Sequence, residues 1–209
     1  MRLVADGVVV RYPRGARNVL DGATFEVEQG ETVAILGPSG SGKSTLLSVL
    51  GGLVRPSAGA VRVEGVDAPL CDVSSWILQT VNVLPERSVL DNVAIGALVR
   101  GASRTRAREL AAERLALVGL ADRLDDPARL LSGGEVQRVV IARALATGRP
   151  FVLADEPTGQ LDHSTSRVVL DALFTTAGGA GVVVVTHDPD VAARCARTVR
   201  IDDGVVVAA

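Results

Sequence analysis

The chain has 209 residues, 47% of them apolar and 22% charged, with a net charge of −2; that size and composition allow one domain, or one core with a smaller lobe, around a substantial apolar interior. The near-neutral charge gives no overall attraction to nucleic acid, and a total of five aromatics leaves little for base stacking. The richest apolar runs, Val182–Val185 and Val205–Ala209, fall far short of the roughly 20 residues of a membrane helix, and no charged-then-apolar leader opens the sequence. We therefore expect a cytosolic protein with no direct membrane insertion. Cys71 and Cys195 lack metal-ligand spacing and are expected to be inert free thiols of a reducing compartment. Of 22 basic residues, 21 are Arg and one, Lys43, is Lys. A compact ammonium on a flexible stem has been kept at a single place among rigid guanidinium forks, and that place calls for a mechanism.

Residues 1–36 alternate short Val-rich runs with Gly7, Pro13, Gly15, Gly22 and Gly30, which predicts strands and tight turns. Thr32–Leu36 reads as a strand running into a glycine-rich loop, and Ser44 to about Leu50 as a helix stopped at Gly51-Gly52. Val61–Val66 reads as another strand. Residues from about Val89 to Leu120 are helical in character. Within them Arg104–Val118 sets Leu110, Leu115 and Val118 among Arg and Glu, an amphipathic surface helix whose interleaved Glu109 and Glu113 make a solvated face. A helix after Leu131 reaches about Thr147, and the strand Phe151–Ala154 follows. Then come a helix near Ser164–Thr176, the strand Val182–Val185, a helix from Pro189 and a strand pair around Thr198–Val207. Strands apolar on both faces, alternating with helices, indicate an α/β fold with a parallel sheet covered on both sides and a helical insert between about residues 80 and 145.

Gly37-Pro38-Ser39-Gly40-Ser41-Gly42-Lys43-Ser44-Thr45 matches G-x-x-x-x-G-K-[ST] in full, between a strand and a helix. Glycines let consecutive N–H groups turn toward phosphate oxygens, and the helix N-terminus adds a favourable dipole. Lys43 reaches the β- and γ-phosphates in such a loop, and Ser44 offers its hydroxyl to Mg²⁺. The strand Phe151–Ala154 delivers Asp155, suited to the same Mg²⁺, and Glu156, suited to orienting or deprotonating a water. His187 follows Val182–Thr186 at another strand end, a placement that favours phosphate sensing over an ordinary exposed histidine.

Leu131-Ser132-Gly133-Gly134-Glu135 opens a helix with an S-x-x-E capping box. Two adjacent glycines exceed what capping requires, and they suggest a second helix end exposed to an anion. With this run, the phosphate loop and the acidic strand end in that order, the whole chain resembles the ATP-binding subunits of ABC transporters. The resemblance implies a P-loop NTPase sheet flanked by helices, with an N-terminal antiparallel β part and a helical subdomain. Residues 1–79 and 146–209 would form the nucleotide-binding core and about 80–145 the helical subdomain. It implies that Tyr12 stacks on adenine, that Gln79 touches Mg²⁺ and reports to the membrane partner, and that Leu161-Asp162 crosses to the opposite subunit. His187 would be the switch histidine.

The same resemblance implies ATP and Mg²⁺ as ligands and a second ATPase subunit, identical or different, paired head to tail. Ser132, Gly133 and Gly134 of one subunit would cover the γ-phosphate held by Lys43 of the other, and hydrolysis through Glu156 would reopen the pair. A separate permease would hold the ATPase at the inner face of the cell membrane. The run 153–162, with Leu84-Pro85-Glu86, is most similar to the lipoprotein-release and macrolide-export branch. Val136 stands where that branch usually has Gln, and Gln160 where it usually has Asn. Only 11 residues separate Asp67 from Gln79, fewer than in the family pattern, so a helix is expected to be missing there. Hydrophobic residues around Val81–Leu84 and Val89 would then carry more of the partner docking. A non-transport ABC ATPase driving a membrane-anchored envelope or division regulator would carry the same residues. A nucleotide kinase has no use for the Ser132–Gly134 helix end, and DNA-repair relatives need a long coiled coil that this sequence lacks.

Overall fold

The computed structural model describes residues 1–12, 17–80, 82–159 and 161–208. Pro13, Gly15, Val81, Gln160 and Ala209, each used in the sequence reading, lie outside the described residues. In chain order the elements are β1 (Arg2–Val10), β2 (Leu20–Glu28), β3 (Thr32–Leu36), α1 (Lys43–Leu50), β4 (Ala58–Glu64), α2 (Leu70–Val73), β5 (Ser74–Ile77), α3 (Val89–Leu98), α4 (Arg104–Leu117), α5 (Gly133–Ala146), β6 (Phe151–Asp155), α6 (His163–Thr176), β7 (Gly181–Val185), α7 (Pro189–Ala192), β8 (Arg197–Asp202) and β9 (Val205–Ala208). They group into two compact units, residues 1–74, 150–156 and 179–209 in the first and 75–149 and 157–178 in the second.

In the first unit β6, β7, β3, β8 and β9 lie side by side in that order, parallel up to β8 and finished by the antiparallel β8–β9 pair. Val33, Ala34, Ile35 and Val182–Val185 are wholly buried, as β-branched runs covered on both faces must be. Burying each such valine stabilises the fold by about 1.5–3 kcal/mol. Helix α1 buries Leu46, Leu47 and Leu50 and packs against β6 and β7 as well as β1. Gly181 opens β7 because a Cβ there would stand 2.7 Å from the Phe151 ring and 2.6 Å from the Glu28 carbonyl. A second, antiparallel sheet runs β2-β1-β4. The parallel directions bring the C-terminal ends of β3, β6 and β7 to one edge, where ligands bind in open α/β sheets.

In the second unit α3, α4, α5 and α6 pack together. At Gly96 the helices approach so closely that a Cβ would lie 2.2 Å from the Arg143 carbonyl of α5. Helix α4 buries Ala107, Ala111 and Leu115, a narrow stripe, while Arg106 pairs outward with Glu109 at 3.0 Å. The predicted helical stretch is two helices, because the chain turns through Arg100–Ala102 and restarts at a Ser103 cap. Helix α6 packs against α5, so packing groups it with the helices and not with the core expected to hold residues 146–209.

Two expectations are corrected. The segment before Gln79 is not without a helix: Leu70–Val73 makes a single turn, after which β5 follows directly. Val89 is wholly buried and cannot dock a partner, whereas Leu84 is exposed. The buried Asn92 fixes the loop that carries Leu84, accepting from the Leu84 N–H at 2.7 Å and donating to its carbonyl at 3.0 Å.

Candidate active site

The loop from Gly37 to Gly42 leaves β3 and ends in α1, whose N-cap is Gly42 in the left-handed region at φ 107°. A side chain at Gly42 would also meet the Val19 carbonyl at 2.7 Å, and one at Gly37 the Ile201 carbonyl at 2.3 Å. Glycine at these positions is required by close backbone approach as well as by any ligand. Lys43 Nζ donates to the carbonyls of Gly37 at 2.8 Å and Pro38 at 2.9 Å. The ammonium therefore lies across the mouth of its own loop, on acceptors that an anion can replace. The Ser41 hydroxyl is buried with no partner among the described residues, an orphan that normally marks a missing ligand or water. Pro38, Ser39 and Gly40 are exposed beside it. These features fit a polyphosphate.

Ser44 donates to Asp155 Oδ1 at 3.2 Å. Two ligands on adjacent octahedral positions at about 2.0–2.1 Å from Mg²⁺ lie about 3 Å apart, so this hydroxyl–carboxylate pair suits such an ion. Burial is the main cause that raises the Asp155 pKa, with the charge of Glu156 adding to it, against the Ser44 hydrogen bond and Lys43. A cation at this point would reverse that balance.

Glu156 follows β6 directly, in the left-handed region at φ 46°, with its N–H on the Val185 carbonyl at 2.9 Å. Such a backbone is costly for a non-glycine residue and is held only where its surroundings determine it. Its Oε1 lies 2.9 Å from His187 Nδ1, and Glu156 is mostly buried while His187 is mostly exposed. A shielded carboxylate oriented by an imidazole is the arrangement expected of a base acting on water. Tyr12 is exposed, with its hydroxyl 3.5 Å from Thr45 Oγ1. Lys43, Ser44, Thr45, Asp155, Glu156, His187 and Tyr12 thus share the first unit.

The second unit carries the remaining candidates. Gln79 is exposed just past β5. Ser132 caps α5 with a full capping box, its N–H and hydroxyl both donating to Glu135 Oε2 at 2.8 Å. Gly133 is exposed and Gly134 is buried. The second glycine has a packing reason that the sequence reading did not see, since a Cβ there would lie 2.2 Å from Thr165 Cγ2. Asp162 is engaged as the N-cap of α6: Oδ1 accepts from the Ser164 and Thr165 N–H groups at 3.0 and 3.1 Å, and Oδ2 accepts from Thr165 Oγ1. The hydroxyls of Ser164 and Thr165 are the first cause that holds its carboxyl well below the usual range. The arginines around Ser132, chiefly Arg123, were not singled out from sequence, for no motif marks a residue nine positions upstream.

A strand, a glycine-rich loop capped by one lysine, and two carboxylates at the end of a parallel strand beyond β7 in the same sheet define a P-loop nucleotide-binding domain. Residues 20–159 match the ABC transporter family. The chain is 43% identical over 208 residues to the lipoprotein-releasing system ATP-binding protein LolD 1 of Rhodospirillum rubrum, covering 94% of this chain and 92% of that protein. It is 42% identical over 219 residues to the macrolide export ATP-binding/permease protein MacB of Rhodopseudomonas palustris, covering 99% of this chain and 33% of that protein. The chain therefore spans about a third of the length of that export relative. A bacterial ABC transporter cassette solved as a dimer superposes with a TM-score of 0.83 at 34% identity, over 98% of this chain and 96% of that one. A post-hydrolysis dimer of the same cassette bound to ADP and Pi gives 0.84 at 35% identity, with the same coverage. The chain belongs to the ABC transporter family, and its fold and motif order are those of the family's ATPase domain.

Proposed function

We propose that this chain is the ATP-hydrolysing subunit of a membrane transport complex, paired head to tail with a second ATPase subunit and driving a separate permease. The observation that carries the reading is the convergence of Ser44 with Asp155 and of Glu156 with His187 at the strand edge beside Lys43. Lys43 exchanges its two loop carbonyls for the β- and γ-phosphate oxygens, and backbone N–H groups of the loop and of the α1 N-terminus complete the cradle. Ser44 and Asp155, with Gln79, are the residues that would hold Mg²⁺; the bound ion neutralises developing phosphate charge. Glu156 takes the proton of the attacking water, and His187 keeps the carboxylate aligned. Ser132, Gly133 and Gly134 of the second subunit cover the γ-phosphate, while Asp162 shapes the crossing loop. Tyr12 carries the adenine. Residues 1–79 and 146–209 act as the nucleotide core, and the helices of about 80–145 answer to the partner.

Among the described residues no helix is long and apolar enough to cross a membrane; the membrane work belongs to the permease, at whose inner face the chain sits. The docking surface is a hollow of about 390 Å³ whose lining combines the apolar Leu84, Ile95 and Leu98 with arginines and with Asp91, which pairs with Arg108. A mixed apolar and charged lining suits an amphipathic helix. The test is reconstitution with the membrane protein that co-purifies with this chain. Mg²⁺-dependent hydrolysis should rise on adding it, and Leu84→Asp should lose that rise while the isolated chain keeps its basal rate within a few-fold. Loss of basal hydrolysis, or unchanged coupling, would remove residues 84–98 from the docking surface.

A further inference from the structure

The capping box at Ser132 carries a charge that capping does not require. Glutamine at the third helical position would close the same box without a charge. Here Glu135 Oε2 holds both the N–H and the hydroxyl of Ser132 at 2.8 Å. Those two hydrogen bonds are the first causes that lower the Glu135 pKa, with Arg123 and Arg138 contributing by charge, so the group is an anion at neutral pH. It sits in the first turn of the helix end that, in the reading proposed above, must receive an anionic γ-phosphate. A carboxylate one hydrogen bond behind the serine opposes that phosphate.

Arg123 meets this charge. Its Nη1 donates to Glu135 Oε1 at 2.9 Å, on the carboxylate oxygen that Ser132 leaves free, and its Nε donates to Asp126. Arg123 and Glu135 are both partly shielded, at 28% and 21% side-chain exposure, so removing one partner leaves the other's charge without its hydrogen-bonded counterion. The segment that carries Arg123 is itself anchored, because the Val89 and Leu90 N–H groups donate to the carbonyls of Asp126 and Leu124 at 2.9 Å. Arg138 adds to the field on Glu135 by charge, but its Nη1 donates to the Val118 carbonyl at 2.8 Å, so Arg123 is the arginine hydrogen-bonded to this carboxylate.

We infer that Arg123 is a positioning residue for Ser132: it neutralises Glu135, which orients the serine, and so lets this helix end close over an anionic phosphate of a second copy. The inference rests on the proposed head-to-tail reading of Ser132. Its necessity is conditional, because Arg123 matters only while residue 135 is a carboxylate.

The experiment is a double-substitution cycle in the Glu156→Gln chain, in which slowed hydrolysis is expected to keep ATP bound over the measurement. Light scattering reads the ATP concentration that gives half-maximal dimer, and calorimetry reads ATP affinity at protein concentrations too low for dimers. Arg123→Gln should raise the half-maximal ATP concentration roughly tenfold, as expected for unpairing a shielded charge, with single-chain affinity unchanged. Arg123→Lys should stay near the parent. Glu135→Gln alone should lower the concentration, and with Glu135→Gln in place Arg123→Gln should have little further effect. An equal loss from Arg123→Gln in both backgrounds would overturn the inference, since it would show a structural role only. Should Arg123→Gln fail to fold, Glu135→Gln decides alone, and weaker dimerisation there refutes the charge argument. Ser132→Ala separates the two readings. If it weakens the dimer while Arg123→Gln does not, Arg123 loses its role and Ser132 keeps its own; if Ser132→Ala also changes nothing, the head-to-tail reading falls.

Discussion

Replacing Glu156 by glutamine changes the chemistry of the site and almost nothing else. The glutamine Oε1 can still accept from His187 Nδ1, as the glutamate Oε1 does at 2.9 Å. The backbone N–H of residue 156 remains on the Val185 carbonyl, so the left-handed conformation at φ 46° is kept. Glu156 is also one cause of the raised Asp155 pKa; losing its charge favours ionised Asp155 and hence a bound cation. ATP binding should therefore be equal or tighter. Removing a general base slows a reaction by about 10²–10⁴-fold, which is about 2.7–5.4 kcal/mol of barrier. Single-turnover phosphate release with excess protein isolates this step from product release, and calorimetry supplies the affinity. Unchanged affinity with near-parental phosphate release would refute the assignment and move the base to His187.

Lys43→Ala should abolish tight ATP binding in calorimetry, because no second flexible cation is present in the sequence; Lys43→Arg should also bind poorly, since a rigid fork cannot bridge the carbonyls of Gly37 and Pro38 as the ammonium does. Asp155→Asn should cost hydrolysis yet not stability. Burial raises the Asp155 pKa, so its favourable contribution is present below the unfolded pKa and is lost as pH rises through the folded one. The nucleotide-free Asn variant should accordingly melt at or above the parent at neutral pH, with the difference closing at acid pH. A thermal scan showing equal destabilisation at both ends would contradict the burial argument.

How much of this was legible in the sequence follows from how local each signal is. The phosphate loop and the acidic strand end were readable because each is contiguous and each lies at the end of a two-sided apolar strand. Strand β3 was read at its observed limits for the same reason. Strand β5 escaped because four residues carry no period, and the turn α2 because four residues make too short a helical pattern. Gly134 was read as ligand clearance, but Thr165 packs over it, a contact made 31 positions away. Val89 looked like a docking residue from its hydrophobicity alone, which cannot separate a helix's buried face from its open one. The strained φ of Glu156 and the arginine that meets Glu135 are tertiary facts, invisible to spacing.

The head-to-tail pairing is tested most directly by an ATP-dependent disulfide between two different copies. Ser39 is exposed on the phosphate loop and Gly133 is exposed at the α5 end; a Cβ at Gly133 has room, its nearest neighbour being Leu161 Cδ2 at 3.7 Å. The exposed Cys71 is replaced by Ser, whereas Cys195 can stay, because burial pushes its thiol up to about 11 and leaves it unreactive. Ser39→Cys and Gly133→Cys chains, each also carrying Glu156→Gln, are oxidised separately and mixed, with and without Mg²⁺ and ATP. A covalent dimer in the mixture with ATP, and none from either chain alone, is the expected result; a dimer from Ser39→Cys alone, or no dimer in the mixture, would contradict the head-to-tail site.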